Sequence, residues 1–325
     1  MTTKKNLNDY LQDVQDIKSE MKKVIIWQDK LINSLIIALL SWGHVILEWV
    51  PWLAKTLSIQ TLARTLDLDF SRISFTPDLL PWDLIWGQIY NQSESKFYTK
   101  KWPIFTNFLL ADEINRAPSK VQSALLEAMQ EKKITIAEQT FTLDEPFLVL
   151  ATQNPIEQEW TYNLPEAQLD RFLLKVIIDY PTELEEIEIM KSANAFNEIK
   201  INKVISKKDI ISLQKMISNE VFVDDKIYDY VKNLVFATRY PSNYWLNSIS
   251  EFLSFWASPR ASIWLITSSK VLAFLNWRDF VSPDDIKDVA MDVLRHRIWL
   301  SFEALWENVS TDSIISTLLS SIDVP

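Results

Sequence analysis

One stretch of the sequence, residues 44–56, constrains the fold more than any other. Its apolar run at 45–47 predicts a strand, and Lys55 and Thr56 begin a segment whose apolar residues recur at helical spacing. A strand, a tight turn, a Lys-Thr pair and a helix are the layout of a phosphate-binding loop. The predicted nucleotide contacts are Trp49, Val50, Pro51, Trp52, Leu53, Ala54, Lys55, Thr56 and Leu57.

The chemistry of such a loop depends on three kinds of group. Backbone N–H groups surround the phosphates, the lysine offsets their negative charge, and the hydroxyl of Thr56 binds magnesium. A Lys-Thr pair also occurs by chance at helix starts, so the motif needs support from elsewhere in the chain.

Tryptophan stands where this loop needs glycine. A side chain at Trp49 or Trp52 would occupy the place of the phosphate. The chain of 325 residues has 2 glycines and 14 tryptophans, whereas glycine makes up about 7% of an average protein. Exchanging every tryptophan for glycine would bring the glycine content close to ordinary.

We hypothesise that the gene comes from a lineage that reads the UGA codon as glycine, and that tryptophan was written at those codons. The alternative is a genuinely tryptophan-rich protein whose loop is dead. UGG at the 14 positions would exclude the hypothesis. Other tryptophans also stand at turns, where glycine is usual: Trp52 after Pro51, Trp82 after Pro81, Trp102 before Pro103 and Trp277 between Asn276 and Arg278.

Composition limits the class of protein. A net charge of −10 argues against a general nucleic-acid coat, and the absence of cysteine excludes disulfides and thiolate metal sites. The most apolar stretch, residues 31–54, is interrupted by Asn33, His44 and Glu48, so no membrane span is expected. The first residues lack an apolar signal core, and we expect a cytoplasmic protein.

The pattern of predicted elements changes near Pro181. Strands alternate with helices before it, at 69–75, 105–111, 147–151 and 172–178, with a hairpin at 134–143 and a polar insertion at 80–102. After it only helical patterns are predicted, at 183–196, 207–218, 224–239, 259–275 and 282–294. This predicts an α/β core with a parallel sheet at residues 1–181 and a helical domain at 182–325.

Two adjacent carboxylates, Asp112 and Glu113, follow the apolar strand at 105–111. In a phosphate-loop enzyme the first holds the magnesium shell and the second polarises the attacking water. An acidic pair at a helix start is the alternative interpretation.

Another predicted strand ends in Thr152 and Asn154, which would reach the same edge of the sheet. An amide there can hold a water or a phosphate oxygen, although Asn154-Pro155 alone is a turn. Arg171 and Arg260 could each be surface ion-pair partners; only a positioned arginine stabilises charge on the phosphoryl group.

The order of these motifs resembles the MoxR family of AAA+ ATPases. The resemblance spans about residues 24–309. It is carried by Trp49-Val-Pro-Trp-Leu-Ala-Lys-Thr56, Leu110-Ala-Asp-Glu-Ile-Asn-Arg-Ala-Pro118, Ala151-Thr-Gln-Asn-Pro-Ile-Glu157, Leu164-Pro-Glu-Ala-Gln-Leu-Asp-Arg-Phe172, and residues 75–81, 125–131, 257–261 and 292–297.

The resemblance implies roles for the candidate residues. Lys55 would contact the β- and γ-phosphates, Glu113 would activate water, and Asn154 would be the first sensor. Thr56 and Asp112 would bind Mg²⁺. The family usually has glycine at Trp49, Trp52, Trp102, Trp160, Trp256 and Trp277 of this chain.

The resemblance also implies that the site is shared between subunits. Arg171 would be an arginine finger reaching the neighbouring subunit's nucleotide, and Arg260 a second sensor in the lid that closes over bound nucleotide. The extra hairpins of the family would lie near 80–101 and 132–143.

The expected fold is therefore a three-layer αβα P-loop NTPase core of the AAA+ type followed by an all-α lid domain. The expected function is Mg²⁺-dependent ATP hydrolysis by a homo-oligomeric ring, a hexamer, with chaperone-like remodelling or maturation of partners. A partner with a von Willebrand factor A domain is implied. The alternatives are a nucleotide-blind assembly subunit, if Trp49 and Trp52 are real, and a DNA-acting ring, which the net charge of −10 weakens.

Overall fold

The computed structural model describes residues 6–25, 28–49, 54–81, 84, 86–91, 96–101, 103–136, 139–153, 162, 164–178, 181–192 and 200–325. Of the predicted site, residues 50–53 and Asn154 lie outside these ranges. The side chains of Trp49, Ala54 and Lys55 are not described either.

Strands and helices alternate up to β9, and helices dominate after it. The strands are β1 (Val45–Trp49), β2 (Phe70–Ser74), β3 (Trp86–Asn91), β4 (Lys96–Lys101), β5 (Phe108–Asp112), β6 (Lys133–Ile136), β7 (Gln139–Thr142), β8 (Leu148–Gln153), β9 (Leu174–Ile178), β10 (Leu253–Phe255) and β11 (Trp299–Leu300). The helices are α1 (Leu7–Lys22), α2 (Asp29–Leu40), α3 (Ala54–Thr65), α4 (Ser119–Glu131), α5 (Glu166–Leu169), α6 (Glu183–Ser192), α7 (Lys207–Glu220), α8 (Asp225–Arg239), α9 (Asn247–Ser250), α10 (Pro259–Leu275), α11 (Pro283–Leu294), α12 (Phe302–Trp306) and α13 (Thr311–Ser321).

The core is a five-stranded sheet of order β2-β5-β8-β1-β9, in which every neighbouring pair is parallel. Its residues alternate between two apolar clusters. Val45 and Leu47 pack with α1, α2 and α3, whereas Ile46 packs with α4 on the opposite face. Helices thus cover both faces, as parallel sheets require, and the predicted three-layer αβα fold is confirmed.

The region from α6 onward, called the lid here, is mainly helical, as predicted. It also holds a small two-stranded antiparallel sheet of β10 and β11, which the sequence analysis did not predict. Strands of two and three residues are too short to show an alternating pattern in the sequence. The hairpins β3–β4 and β6–β7 lie in the two predicted insertions. None of the described helices is long and apolar enough to cross a membrane.

Among the described residues, three tryptophans occupy backbone conformations typical of glycine. Trp42, Trp245 and Trp277 have φ angles of 58°, 60° and 61°. A residue with a Cβ atom in this left-handed region costs roughly 1–2 kcal/mol, and bulky residues are rare there.

The turn at Trp277 shows why the conformation is needed. Helix α10 ends there in a Schellman motif: the Trp277 N–H donates to the carbonyl of Phe274 and the Arg278 N–H to that of Ala273, both at 3.0 Å. The residue after the C-cap of such a motif is usually glycine. This geometry favours the hypothesis of glycine at these codons.

His44 ties the start of β1 to its neighbours. The buried ring accepts a hydrogen bond at Nδ1 from the Val149 N–H of β8, at 3.0 Å. The neutral ring therefore carries its proton on Nε2, which lies 3.3 Å from the Met129 carbonyl of α4. Burial lowers the pKa of His44 to about 4, and the positive charge of Lys132 acts in the same direction.

We expect acid to destabilise the fold through this ring. The unfolded chain binds a proton near the ordinary pKa of 6.5, whereas the folded ring binds one only near pH 4. The free energy of unfolding should therefore fall between these two pH values, and His44 should account for about 3 kcal/mol of the fall. Urea unfolding at pH 7, 5.5 and 4 measures this change in the free energy of unfolding. The His44→Gln variant should be less stable at pH 7, but its free energy of unfolding should fall less between pH 7 and pH 4. An equal fall in both chains would contradict the prediction.

Candidate functional site

The carboxyl edge of the sheet collects the predicted magnesium and water-activating residues. Parallel strands end at one edge, so β5 and β8 deliver Asp112 and Thr152 side by side, next to the end of β1. The strand order reverses here, since β8 inserts between β1 and β5. Open α/β sheets bind their ligands at such points.

Asp112, Thr152 and Glu113 form a hydrogen-bonded cluster at this edge. The Thr152 hydroxyl donates to Asp112 Oδ1 at 2.7 Å and accepts from the Glu113 N–H at 2.9 Å. Thr152 is fully buried and Asp112 nearly so. The threonine thus fixes the first carboxylate and orients the backbone that carries the second.

Glu113 leaves the strand in a left-handed conformation, with φ 59° and ψ 50°. It begins the short 3₁₀ turn Ile114–Arg116, and one carboxylate oxygen lies 3.2 Å from Arg116 Nε. Such a conformation is uncommon for a residue with a side chain, and strained conformations cluster at functional sites. The turn ends the strand after Asp112, and the half-buried Glu113 carboxylate lies against Arg116.

Arg72 is a site residue that sequence analysis missed. It lies on β2, and its Nη2 is 2.5 Å from Asp112 Oδ2. The guanidinium side chain is half exposed, whereas that of Asp112 is 11% exposed. Nothing in the sequence around Arg72 signals this contact, because it depends on the pairing of β2 with β5.

The phosphate loop itself is described only at its ends. β1 ends at Trp49 and α3 begins at Ala54, so the predicted order of strand, short connection and helix is present. Thr56 and Leu57 are half-buried in the first turn of α3. The contacts assigned to residues 49–57 stay predictions.

The described residues fit a magnesium site. Asp112 supplies a carboxylate and Thr56 a hydroxyl at the same edge of the sheet. Mg²⁺ prefers oxygen donors, and in nucleotide sites it takes only one or two carboxylates because the phosphates provide further ligands.

Arg171 and Arg260 lie at the opposite, amino edge of the sheet. Arg171 belongs to the turn before β9, and two residues later the Leu173 N–H donates to the His44 carbonyl at 2.7 Å. Arg260, in the first turn of α10, has its Nη1 3.6 Å from Asp170 Oδ2. The length of β1 alone separates the two edges by about 13 Å. The structure therefore places both arginines at the amino edge of the sheet, whereas Asp112 lies at the carboxyl edge.

Three consecutive lid residues hold this amino edge. The side chains of Arg295, His296 and Arg297 bond to backbone carbonyls between 170 and 175. Burial lowers the pKa of Arg297 to about 10, against the attraction of Asp170, so the guanidinium is still charged at neutral pH. Burial, with the positive charge of Arg297, lowers the pKa of His296 as well.

Comparisons with known proteins match both parts of the chain. Residues 44–174 match the ATPase family associated with various cellular activities (AAA), and residues 248–318 match the AAA lid domain. Chaperone MoxR1 of Mycobacterium tuberculosis is 46% identical over 306 residues, which are 94% of this chain and 81% of that protein. The uncharacterized protein YeaC of Bacillus subtilis is 43% identical over 290 residues, which are 89% of this chain and 87% of that protein.

A solved structure agrees with these matches. The crystal structure of a proposed ATPase from Cytophaga hutchinsonii superimposes with a TM-score of 0.94 at 49% identity, covering 98% of this chain and 97% of that one. Sequence identity of this level over nearly the whole chain establishes the family. The chain belongs to the MoxR family of AAA+ ATPases, which are ATP-binding and chaperone-like.

Proposed function

We propose that the protein hydrolyses ATP with Mg²⁺ as part of a homo-oligomeric ring, a hexamer, and uses the energy to remodel or mature partner proteins. The observation that carries the proposal is the cluster of Asp112, Thr152 and Glu113 at the carboxyl edge, beside the start of α3. It supplies a metal ligand and a base at the place where the fold binds nucleotides.

The residues at this edge divide the chemistry. Lys55 and the loop amides would offset the charge of the phosphates. Thr56 and Asp112 would hold Mg²⁺, which when bound would supply electrostatic stabilisation of the transferred phosphoryl group. Glu113 takes up a proton from the attacking water, and Asn154 orients that water without adding charge. Arg72 now binds the carboxylate that Mg²⁺ needs, so it must move aside or share it.

The position of the arginines supports shared sites. Arg171 and Arg260 lie at the edge away from their own chain's phosphate loop. In a ring, the amino edge of one subunit can face the nucleotide of the next. Hydrolysis would then require assembly.

The proposed partner follows from the family resemblance. One relative is named a chaperone, which supports a remodelling role on other proteins. A protein with a von Willebrand factor A domain is the partner we propose, and the cytoplasm the compartment.

The Glu113→Gln variant tests this function. The amide keeps the shape of the side chain but cannot take up a proton, so we expect turnover to fall by about 10²- to 10⁴-fold. ATP affinity should not change. Steady-state phosphate release and equilibrium binding of ATP measure turnover and affinity. The protein is produced with the amino acids that its own organism inserts at the 14 codons.

The matched control is Glu127→Gln, an exposed glutamate on α4. It should leave both quantities unchanged. Undiminished phosphate release by Glu113→Gln would remove Glu113 from its role.

A further inference from the structure

Asp170 is bound by three lid side chains, although it belongs to the turn before β9. The Ser258 hydroxyl lies 3.0 Å from Oδ1 and 2.8 Å from Oδ2. Arg297 donates from Nε to Oδ1 at 2.8 Å, and Arg260 Nη1 lies 3.6 Å from Oδ2. Asp170 therefore joins the lid to the turn that carries Arg171.

Arg297 forms the buried part of the contact between the lid and Asp170. Its side chain is 1% exposed, and it also donates to the backbone carbonyls of Asp170 and Leu173. A buried cation without its anion is strongly disfavoured, so the ion pair between Arg297 and Asp170 is costly to break. The charge of Asp170 is thus fixed in place from the lid side.

Arg260 is held more loosely by the same carboxylate. Its side chain is 43% exposed, and its contact with Asp170 is longer than a hydrogen bond. The Ser258 hydroxyl accepts from the Arg260 N–H at 3.1 Å, which places the start of α10 directly on Asp170. Arg260 can therefore turn from Asp170 to an anion that approaches this edge without disturbing Arg297.

We propose that Asp170 is a positioning residue that holds Arg171 and Arg260 at one place, so that both meet the neighbouring subunit's nucleotide together. The carboxylate anchors the start of α10 through Ser258, and Asp170 is the residue directly before Arg171 in the chain. This rests on the proposed function, because it needs a ring in which the amino edge of one chain faces the nucleotide of the next.

The Asp170→Asn variant tests the proposal by its effect on kcat and on ATP affinity separately. We expect kcat to fall by about 10- to 100-fold, the usual effect of a catalytic group displaced by about 1 Å. The dissociation constant for ATP should change much less than kcat, because the phosphate loop and the Mg²⁺ ligands at the other edge are intact in every subunit. A loss of affinity equal to the loss of kcat would overturn the proposal.

Mixing subunits separates positioning from a structural role. A Glu113→Gln subunit cannot hydrolyse ATP, but its arginines are intact and can complete the site of an Asp170→Asn neighbour. Rings assembled from both should release phosphate faster than rings of either variant alone. No gain on mixing would show that the Asp170→Asn defect lies within its own site, against the proposal.

Two further variants keep the test decisive. Asp312→Asn removes a carboxylate that binds Arg295 in the same lid but does not touch the turn of Arg171, so kcat should not change. If Asp170→Asn does not fold, Ser258→Gly removes one hydrogen bond to Asp170 and leaves Arg297 paired. Glycine is accepted at an N-cap, so a severalfold fall in kcat is still expected; an unchanged kcat would overturn the proposal.

The same assays separate a failure of the proposed function from a failure of the role of Asp170. If Glu113→Gln and Arg171→Ala both leave turnover unchanged, the proposed function fails. If both lower turnover while Asp170→Asn does not, only the role of Asp170 is wrong.

Discussion

Glycine at both position 49 and position 52 is expected to give a chain that binds Mg-ATP, whereas tryptophan at both is expected to give a chain that does not. The backbone amides of a phosphate loop must approach the phosphates closely, and an indole at either point fills that space. Restored binding should have a dissociation constant of about 1 μM to 1 mM, the range of ordinary enzyme substrates. Calorimetric titration of Trp49→Gly/Trp52→Gly against the parent chain measures the difference.

The control for this experiment is Trp306→Gly. That tryptophan is 79% exposed on the lid helix α12, so its removal should not alter nucleotide binding. Tight Mg-ATP binding by the chain with both indoles in place would show that they do not block the loop. Intact mass of the natively translated protein tests the codon hypothesis directly, since it distinguishes indole from hydrogen at each site.

Tryptophans elsewhere in the fold support glycine at these codons. Trp42, Trp245 and Trp277 have positive φ angles, and Nε1 of Trp264 is buried with no hydrogen-bond partner among the described residues. An indole N–H that is buried usually finds an acceptor. Each of these sites carries a cost that glycine would not have.

Sequence periodicity was enough to place most of the fold. The helix predicted at 259–275 is α10 with the same bounds, because its apolar positions repeat and Pro259 follows an N-capping serine. The shared edge of Asp112 and Thr152 was also predictable, since both follow apolar runs typical of buried parallel strands. Local patterns carry this information because each element must bury one face.

Contacts between distant residues were not predictable in this way. Arg72 reaches Asp112 across 40 positions, and Arg297 reaches Asp170 across 127. Their partners are chosen by how strands pair and how the lid packs, which a single sequence does not encode locally. For the same reason the contact between Arg260 and Asp170 could not be predicted, and the role of Arg260 as a second sensor stays a prediction from the family resemblance.

Removal of the Arg171 guanidinium is expected to lower kcat by about 10³-fold or more, the effect of losing an arginine finger. The Arg171→Ala variant should still assemble and still bind ATP, because Arg171 precedes β9 at the amino edge and the phosphate loop follows β1 at the carboxyl edge. Phosphate release, ATP titration and ring size by light scattering give the three readouts. Arg64→Ala, an exposed arginine on α3, is the matched control and should change none of them.

Mixed rings show which subunit loses turnover when Arg171 is removed, and this distinguishes a site shared between subunits from a site within one chain. In rings mixed with Glu113→Gln, an Arg171→Ala subunit whose neighbour supplies Arg171 regains turnover, although both parents are inactive. We expect this outcome because the parallel pairing of β1 with β9 puts Arg171 at the amino edge of the sheet, whereas Asp112 of the same chain lies at the carboxyl edge. Full turnover by homogeneous Arg171→Ala rings would mean that another residue stabilises the transferred phosphoryl group.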